Sequence, residues 1–434
     1  MERYDSYKDS GVKWLGKIPS HWEVCKAKYL WEESLVTSEN GEENLLSVSQ
    51  YDGVMPFKGD SRSESLKGYK IVSENDLVIN IMLAWLGGLG VSKYNGIVSP
   101  AYCTYKSILN NNTRFLHYLY RTPMYLAEFA RHSTGVVPSR WRMYTDDFGQ
   151  VITLLPPRKE QDAIVSYLDS ATSKINVAIA QQQKIINLLN ERKQIIINNI
   201  ATKGLNPSVP LKDSGIDWIG QIPEHWEILP IKHFKSSEKN AFVDGPFGSS
   251  LKSEHYVESG DVYVIESGMV TTGKFVNKDF KEITLSHFKT IERSECKAGD
   301  IIIAKIGAKF GMAAELPKLA KKSVVSGNSL KITLNQKKMI NTLFVCYMGL
   351  AKIKGGFIGL YQETAQPALS LGGLNNMFFP VPPLEEQLKI SQYLDKKIKI
   401  VDQNIEHSNT LISLLQERKQ IIINDVVTGK VKVL

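Results

Sequence analysis

The residues that could do chemistry in this chain are easily collected, and their spacing excludes most of it. Its eight histidines include no His-x-x-x-His pair, and Cys25, Cys103, Cys296 and Cys346 are scattered without a Cys-x-x-Cys spacing. The cysteines therefore read as reduced, mostly buried thiols, not as a metal or disulfide framework. Both Pro-Pro pairs, Pro156-Pro157 and Pro382-Pro383, lack the preceding Asn of an amino-methyltransferase motif and run into Arg158 and Leu384. "LGGLG" at Leu86 is a poor match to a dinucleotide-binding Gly-x-Gly-x-x-Gly and reads as a turn; no Gly-x-x-x-x-Gly-Lys-Ser/Thr phosphate loop occurs. Catalytic, metal and cofactor sites are not expected in this chain.

What remains is recognition. Polar and basic residues cluster on glycine-marked stretches. "DGPFGSSLKSEHY" offers Ser249, Ser250 and Lys252; "AKIGAKFG" offers Lys305 and Lys309; "YQETAQPALS" adds Gln362, Thr364 and Gln366. In the N-terminal half, "TGVVPSRWRMY" offers Ser139, Arg140 and Arg142, and the stretch near Lys58 and Arg62 adds two cations. Counted back from the Pro-Pro pairs, Arg140 aligns with Gln366. Arginine pairs with guanine and glutamine with adenine in the major groove, so such an exchange would change a base preference. With 53 Lys and Arg against 45 Asp and Glu, the net charge is +8 and the pI near 9.0. That balance suits a polyanion, whose condensed counterions are released on binding.

The elements that must position these residues come in two copies. "DSGVKWLGKIPSHWE" at Asp9 and "DSGIDWIGQIPEHWE" at Asp213 share ten of fifteen residues, and "ERKQIIIN" recurs unchanged at Glu191 and Glu417. The order is Trp-rich segment, variable region, Pro-Pro and long helical pattern, twice over. The copies are offset by 204 residues at the Trp segment and 226 at the Pro-Pro, so the second variable region is 22 residues longer. Two repeats of this size indicate a tandem duplication, not a solenoid.

Each Pro-Pro pair reads as a helix start, with Glu160, Glu385 and Glu386 near the positive end of the dipole. Ile164, Leu168, Ala171, Ile175, Ala178, Ile185, Leu189 and Ile196 then form a heptad seam, matched by Ile390, Leu394, Val401, Leu411, Leu415 and Ile422. Gln182 and Arg192, or Ser408 and Arg418, interrupt it. Lys203-Gly204 and Thr428-Gly429 are the stops. About 45 residues give a helix of roughly 65 Å, too long for a small domain to cover, so each helix is expected to pair antiparallel with the other. Between the framework segments, "YKIVSENDLVINIML", "DVYVIES" and "AGDIIIAKIG" read as strands and "FLHYLYRTPMYLAEFARH" as helix. The fold class is therefore α+β: two mixed α+β globules in a pseudo-twofold arrangement, joined by two long antiparallel coiled-coil helices. The landmarks "ENDLVINI" and "AGDIIIAK" show that the globules share a skeleton while their other residues differ. Trp14, Trp22, Trp218 and Trp226 are expected to anchor globule to helix, and the segment at Asp9 to sit beside the end of the second helix. The boundaries expected are 1–155 and 205–381 for the globules, 156–204 and 382–434 for the helices and tail. With 434 residues, no membrane-length apolar run and no secretory signal, a multidomain cytoplasmic protein is expected.

Two variable globules, each followed by a near-identical helix opening "PPRKEQ" or "PPLEEQ", resemble the specificity subunit of type I restriction-modification enzymes. "DSGIDWIGQIPEHW", "DGPFGSSLK" and "GDIIIAKIG" are similar to phrases of the same family, and the resemblance spans essentially the whole chain. It implies two target-recognition domains, each reading half of a split, asymmetric double-stranded DNA site. It also implies helices that set the gap and bind two modification subunits. Those partners would hold S-adenosylmethionine and methylate adenine, while a separate restriction subunit would cleave. "GVVPSRWRM" in the first globule departs from the family pattern that the second retains. Two other classes stay open at this stage: a coiled-coil scaffold joining two protein-binding modules, and an enzyme with an unrecognised site.

Overall fold

The computed structural model describes residues 2–59, 65–137, 140–271, 273–360 and 368–433. Its contacts divide the chain into two units, Met1–Lys184 with Ser408–Leu434, and Ile185–His407. Two continuous helices, Arg158–Lys203 and Leu384–Val427, each contribute one part to each unit.

At the centre of the first unit is an antiparallel four-stranded sheet in the order Trp31–Glu33, Tyr102–Ser107, Leu77–Asn80, Leu89–Val91. The second unit has its counterpart: Phe242–Asp244, Ser329–Ile332, Ile301–Ala304, Ala313–Glu315. The inner strands "LVIN" and "IIIA" are buried on both faces, and all their residues but Asn80 are apolar. Side chains alternate across a strand, so Leu77 and Ile79 enter one core and Val78 another. Ile301 and Ile303 likewise part from Ile302. This is the shared skeleton expected from the parallel landmarks. The units then diverge. The second adds a four-stranded sheet containing a parallel pair, Val262–Ile265 with Lys322–Val325. The first has there two antiparallel pairs, Leu46–Ser49 with Gly53–Pro56 and Gly96–Val98 with Lys70–Val72, linked by a parallel bridge from Leu45 to Ile97.

The repeated segments are the brace around each globule. Glu23–Lys26, just after the His-Trp pair, pairs with Ile152–Leu155, just before the Pro-Pro. Glu227–Pro230 pairs with Phe378–Val381 in the same way. His21 Nε2 donates to Glu160 Oε2 at 2.8 Å, and His225 Nε2 to Glu386 Oε2 at 2.9 Å. Trp226 Nε1 adds a bond to Glu386 of 3.1 Å; in the first copy the Tyr4 hydroxyl bonds Glu160 instead. The next residue of each motif is as fixed. Gln161 Oε1 accepts from the amide of Asn112, which caps the helix Thr113–Tyr120, and Gln161 Nε2 donates to the Pro156 carbonyl. Gln387 does the same for Ile340 and Pro382. Trp22 and Trp226 are fully buried. Gly429, with φ +73°, lies so close that a Cβ there would meet Pro19 and Trp22, and the Tyr7 hydroxyl donates to its carbonyl at 3.2 Å. The N-terminal Trp segment therefore does sit beside the end of the second helix.

Within each unit the helix segments run antiparallel. In the first, Lys419 Nζ donates to Asn176 Oδ1 at 2.9 Å, and Ile423, Val426 and Val427 share a core with Ile164, Val165 and Leu168. In the second, Lys193 Nζ meets Asp402 Oδ1 at 2.8 Å, and Gly204 abuts Glu386. Lys193 and Lys419 are equivalent repeat positions, as are Asn176 and Asp402. The seam differs from the expected one in its later turns. Ile185 is 41% exposed and Ile186 6%. Ile197 and Ile423 are buried, where Ile196 and Ile422 are only half-buried. Arg192 and Arg418 face solvent, and Lys193 and Lys419 take their places. An α-helix drifts about 20° per heptad from a strict 3.5-residue repeat, so along the later turns contact passes to the next residue.

Candidate nucleic-acid interface

In the second unit four segments converge at the ends of the central sheet. The Asp244–Leu251 stretch packs on Ser326–Asn328 so tightly that a Cβ on Gly245 would lie 1.9 Å from the Ser326 carbonyl. Lys305 donates its amide to the Asn328 carbonyl at 2.9 Å and accepts from the Leu369 amide at 3.0 Å. Asp244, 8% exposed, is the electrostatic centre: Lys305 Nζ stands 3.4 Å and Arg293 Nη2 3.2 Å from its two oxygens. Lys305 also lies 4.6 Å over the ring of Phe247, which is 60% exposed.

Of the expected readers in this unit, Ser249 and Ser250 are exposed on the short helix Gly248–Ser250, and exposed Lys252 follows. The Ser250 carbonyl is 3.0 Å from His287 Nε2, whose ring stacks on His255 at 3.9 Å. The loop carrying these side chains is thus held from beneath. Lys305 belongs to the same cluster, although its ammonium is shared with Asp244. Lys309 turns elsewhere, donating to the Gly268 carbonyl at 3.0 Å. Gln362, Thr364 and Gln366 lie outside the described residues; the chain resumes with Ala368 bridged to Ile306.

The first unit builds the equivalent place differently. A hairpin closed by the Thr134–Arg142 bridge carries exposed Arg140 and half-buried Arg142. Trp141 meets Trp85 edge-on at 5.3 Å, and the Met143 amide donates to the Ile81 carbonyl at 3.0 Å. Met143 and Leu369 are 226 residues apart and make matching bonds to Ile81 and Lys305, so the offset that pairs Arg140 with Gln366 holds at the described residues beside them. Lys58 is exposed after the strand Gly53–Pro56, outside this hairpin; Arg62 and Ser139 lie outside the described residues. The first part of "LGGLG" is a turn, with Gly87 at φ +90°, and Leu89-Gly90 begin the strand that follows.

Other polar side chains of this unit hold it together. Arg121 spends its guanidinium on the carbonyls of Gly87, Leu89, Gln50 and Tyr51. His117 accepts from the Val91 amide at 3.1 Å, and burial, with Arg121 and Arg114 nearby, pushes it down to about 3. Burial pushes the Cys296 and Cys346 thiols up to about 12, as inert core groups; Cys25 and Cys103 are half-buried. The features missed from sequence were Asp244, Arg293, Phe247 and the Trp85–Trp141 pair. The first two sit among ordinary charges. The last could have been flagged from two tryptophans on glycine-marked loops.

Residues 247–413 match the family model described as "Type I restriction modification DNA specificity domain". The type I restriction enzyme MjaVIII specificity subunit of Methanocaldococcus jannaschii is 26% identical, over 98% of this chain and 97% of its own length. The EcoBI specificity subunit of Escherichia coli is 21% identical, over 74% of this chain and 66% of its own. Among solved structures, a chain from work on complex assembly and conformational transition of the type I R-M system gives a TM-score of 0.69 at 13% identity, covering 95% of this chain and 99% of that one. The HsdS subunit of Thermoanaerobacter tengcongensis gives 0.50 at 13% identity, covering 95% and 98%. Fold and family point the same way, and no helix among the described residues is long and apolar enough to cross a membrane.

Proposed function

We infer, from this chain's membership of the type I restriction-modification specificity family, that it recognises a bipartite, asymmetric DNA site and catalyses nothing itself. Residues 1–155 and 205–381 serve as the two target-recognition domains, and the helical stretches 156–204 and 382–434 as the spacer between their half-sites. The observation that carries this reading is the duplicated sheet with unlike loops at equivalent ends. Trp85, Arg140 and Trp141 occupy one such end, and Asp244, Phe247 and Lys305 the other. A scaffold conserved around divergent reading loops is what two different half-sites require. Both ends carry cations, suited to a phosphate backbone that supplies affinity while base edges supply specificity.

Catalysis belongs to partners. The helices carry a second apolar face away from their seam: Leu188 and Ile195 in one unit and the equivalent Leu414 and Ile421 in the other are 52–56% exposed. Two equivalent apolar patches suit two copies of one partner, the modification subunit. That subunit would hold S-adenosylmethionine and methylate adenine, with restriction subunits joining the same cytoplasmic complex.

The test is reconstitution. The purified chain should transfer no methyl group from S-adenosylmethionine to DNA, and adding the modification subunit should give methylation at one split sequence. Methylation by the chain alone, or by the mixture without sequence preference, would refute the reading.

A further inference from the structure

The first unit carries a feature that cations and hydrogen-bonding side chains do not explain. At the tip of the Thr134–Arg142 hairpin, Val136 is 95% exposed and Val137 43%. Val136 is the most exposed of the large apolar side chains described in the chain. The described residues of the hairpin are held at several points. The Arg140 amide donates to the Val137 carbonyl at 2.8 Å, and Gly135, at φ +154°, lets the backbone pass so close to Arg140 that a Cβ would lie 2.5 Å from its carbonyl. The base is braced by Trp141 against Trp85 and by Met143 on Ile81. Two adjacent valines, one of them almost wholly exposed, thus stand beside exposed Arg140 on one hairpin, open to an apolar group of a charged partner.

We propose that Val136, supported by Val137, is a specificity determinant that contacts the 5-methyl group of a thymine in the half-site read by the first globule. The major groove presents one apolar group, the thymine methyl, and apolar side chains are its readers. Arg140 on the same hairpin supplies the positive charge that brings the tip to a polyanion, which favours DNA over a neutral protein surface as its occupant. The proposal rests on the DNA-reading function inferred above and adds the chemical group that is read. It also accounts for the departure from the second globule's loop: exchange of a polar reading stretch for Val-Val exchanges hydrogen-bond readout for methyl readout.

The test uses the complex of this chain with its modification subunit and the target found by mapping methylated adenines. Each thymine of the first half-site is replaced in turn by deoxyuridine, which removes only the 5-methyl group. At one or two positions the wild-type complex should bind about fourfold more weakly, the equivalent of one buried methyl group. Val136→Ala, at a site too exposed to affect folding, should bind the thymine and deoxyuridine sites alike, at the weaker level. Deoxyuridine in the second half-site should leave the effect of Val136→Ala unchanged. The proposal fails if no thymine of the first half-site shows the effect, or if Val136→Ala keeps the discrimination; the DNA-reading function then stands, because the unmodified site is still preferred. A complex that prefers no sequence at all overturns both.

Discussion

At the scale of single residues, the same side-chain types divide between holding the protein and standing exposed at its surface, and only contacts tell them apart. Arg121 is consumed by four carbonyls, whereas Arg140 is exposed on a hairpin braced by a tryptophan pair. Lys309 is tied to the Gly268 carbonyl by a bond that a phosphate could replace. If Arg140 reads a guanine edge with two hydrogen bonds, Arg140→Ala should cost about 1–3 kcal/mol of discrimination. Competition binding would show the cognate site losing far more affinity than random DNA. Lys309→Ala should instead weaken both alike and lower the salt slope by about one unit. An unchanged ratio of cognate to random binding in Arg140→Ala would mean that the bases are read elsewhere on the globule. Glu160, Gln161, Glu386 and Gln387 are the opposite case. They look like helix-start residues in the sequence, and they are the joints to which the His-Trp segment and the globule's helix cap are fastened.

At the scale of elements, the helices show what periodicity reveals and where it stops. Their starts, their glycine stops at Gly204 and Gly429, and their pairing were legible, because each follows from local chemistry repeated twice. The choice between Ile196 and Ile197, or Ile422 and Ile423, was not, since a one-residue drift accumulates over some five heptads and leaves no local mark. The seam makes a stability prediction. Ile197→Ala and Ile423→Ala should each cost about 2–4 kcal/mol in denaturant unfolding, as buried isoleucines do. Ile185→Ala, on the exposed side, should stay within about 0.5 kcal/mol. Equal costs would return the seam to its strict heptad positions. The strands were legible for a similar reason: "LVIN" and "IIIA" are buried on both faces and so are apolar but for Asn80. The loops at the sheet ends were legible only as glycine-marked stretches. The pairing of Asp244 with Lys305, or of Trp85 with Trp141, joins residues 61 and 56 positions apart that no periodicity links.

At the scale of the whole molecule, the sequence divides into a framework that repeats and globules that do not. The division follows function. The Trp segments, the strands beside them and the long helices must make the same contacts in both copies, so they keep the same residues. The globule interiors need only preserve a four-stranded sheet, and their loops are free to diverge. If that is why they diverge, a globule is exchangeable. Its ends are marked: Trp31 opens the first central sheet, and Leu155 closes the strand paired with Glu23–Lys26. Grafting a different first globule between Trp31 and Leu155 leaves outside the graft the His21 side chain and Glu160 that fasten globule to helix. The chimera, assembled with its modification subunit and mapped by its methylated adenines, should keep the second half-site and the gap length while adopting a new first half-site. Methylation that lost or altered both halves would mean that reading is not confined to each globule, and the duplicated sheets would then be parts of one joint recognition surface.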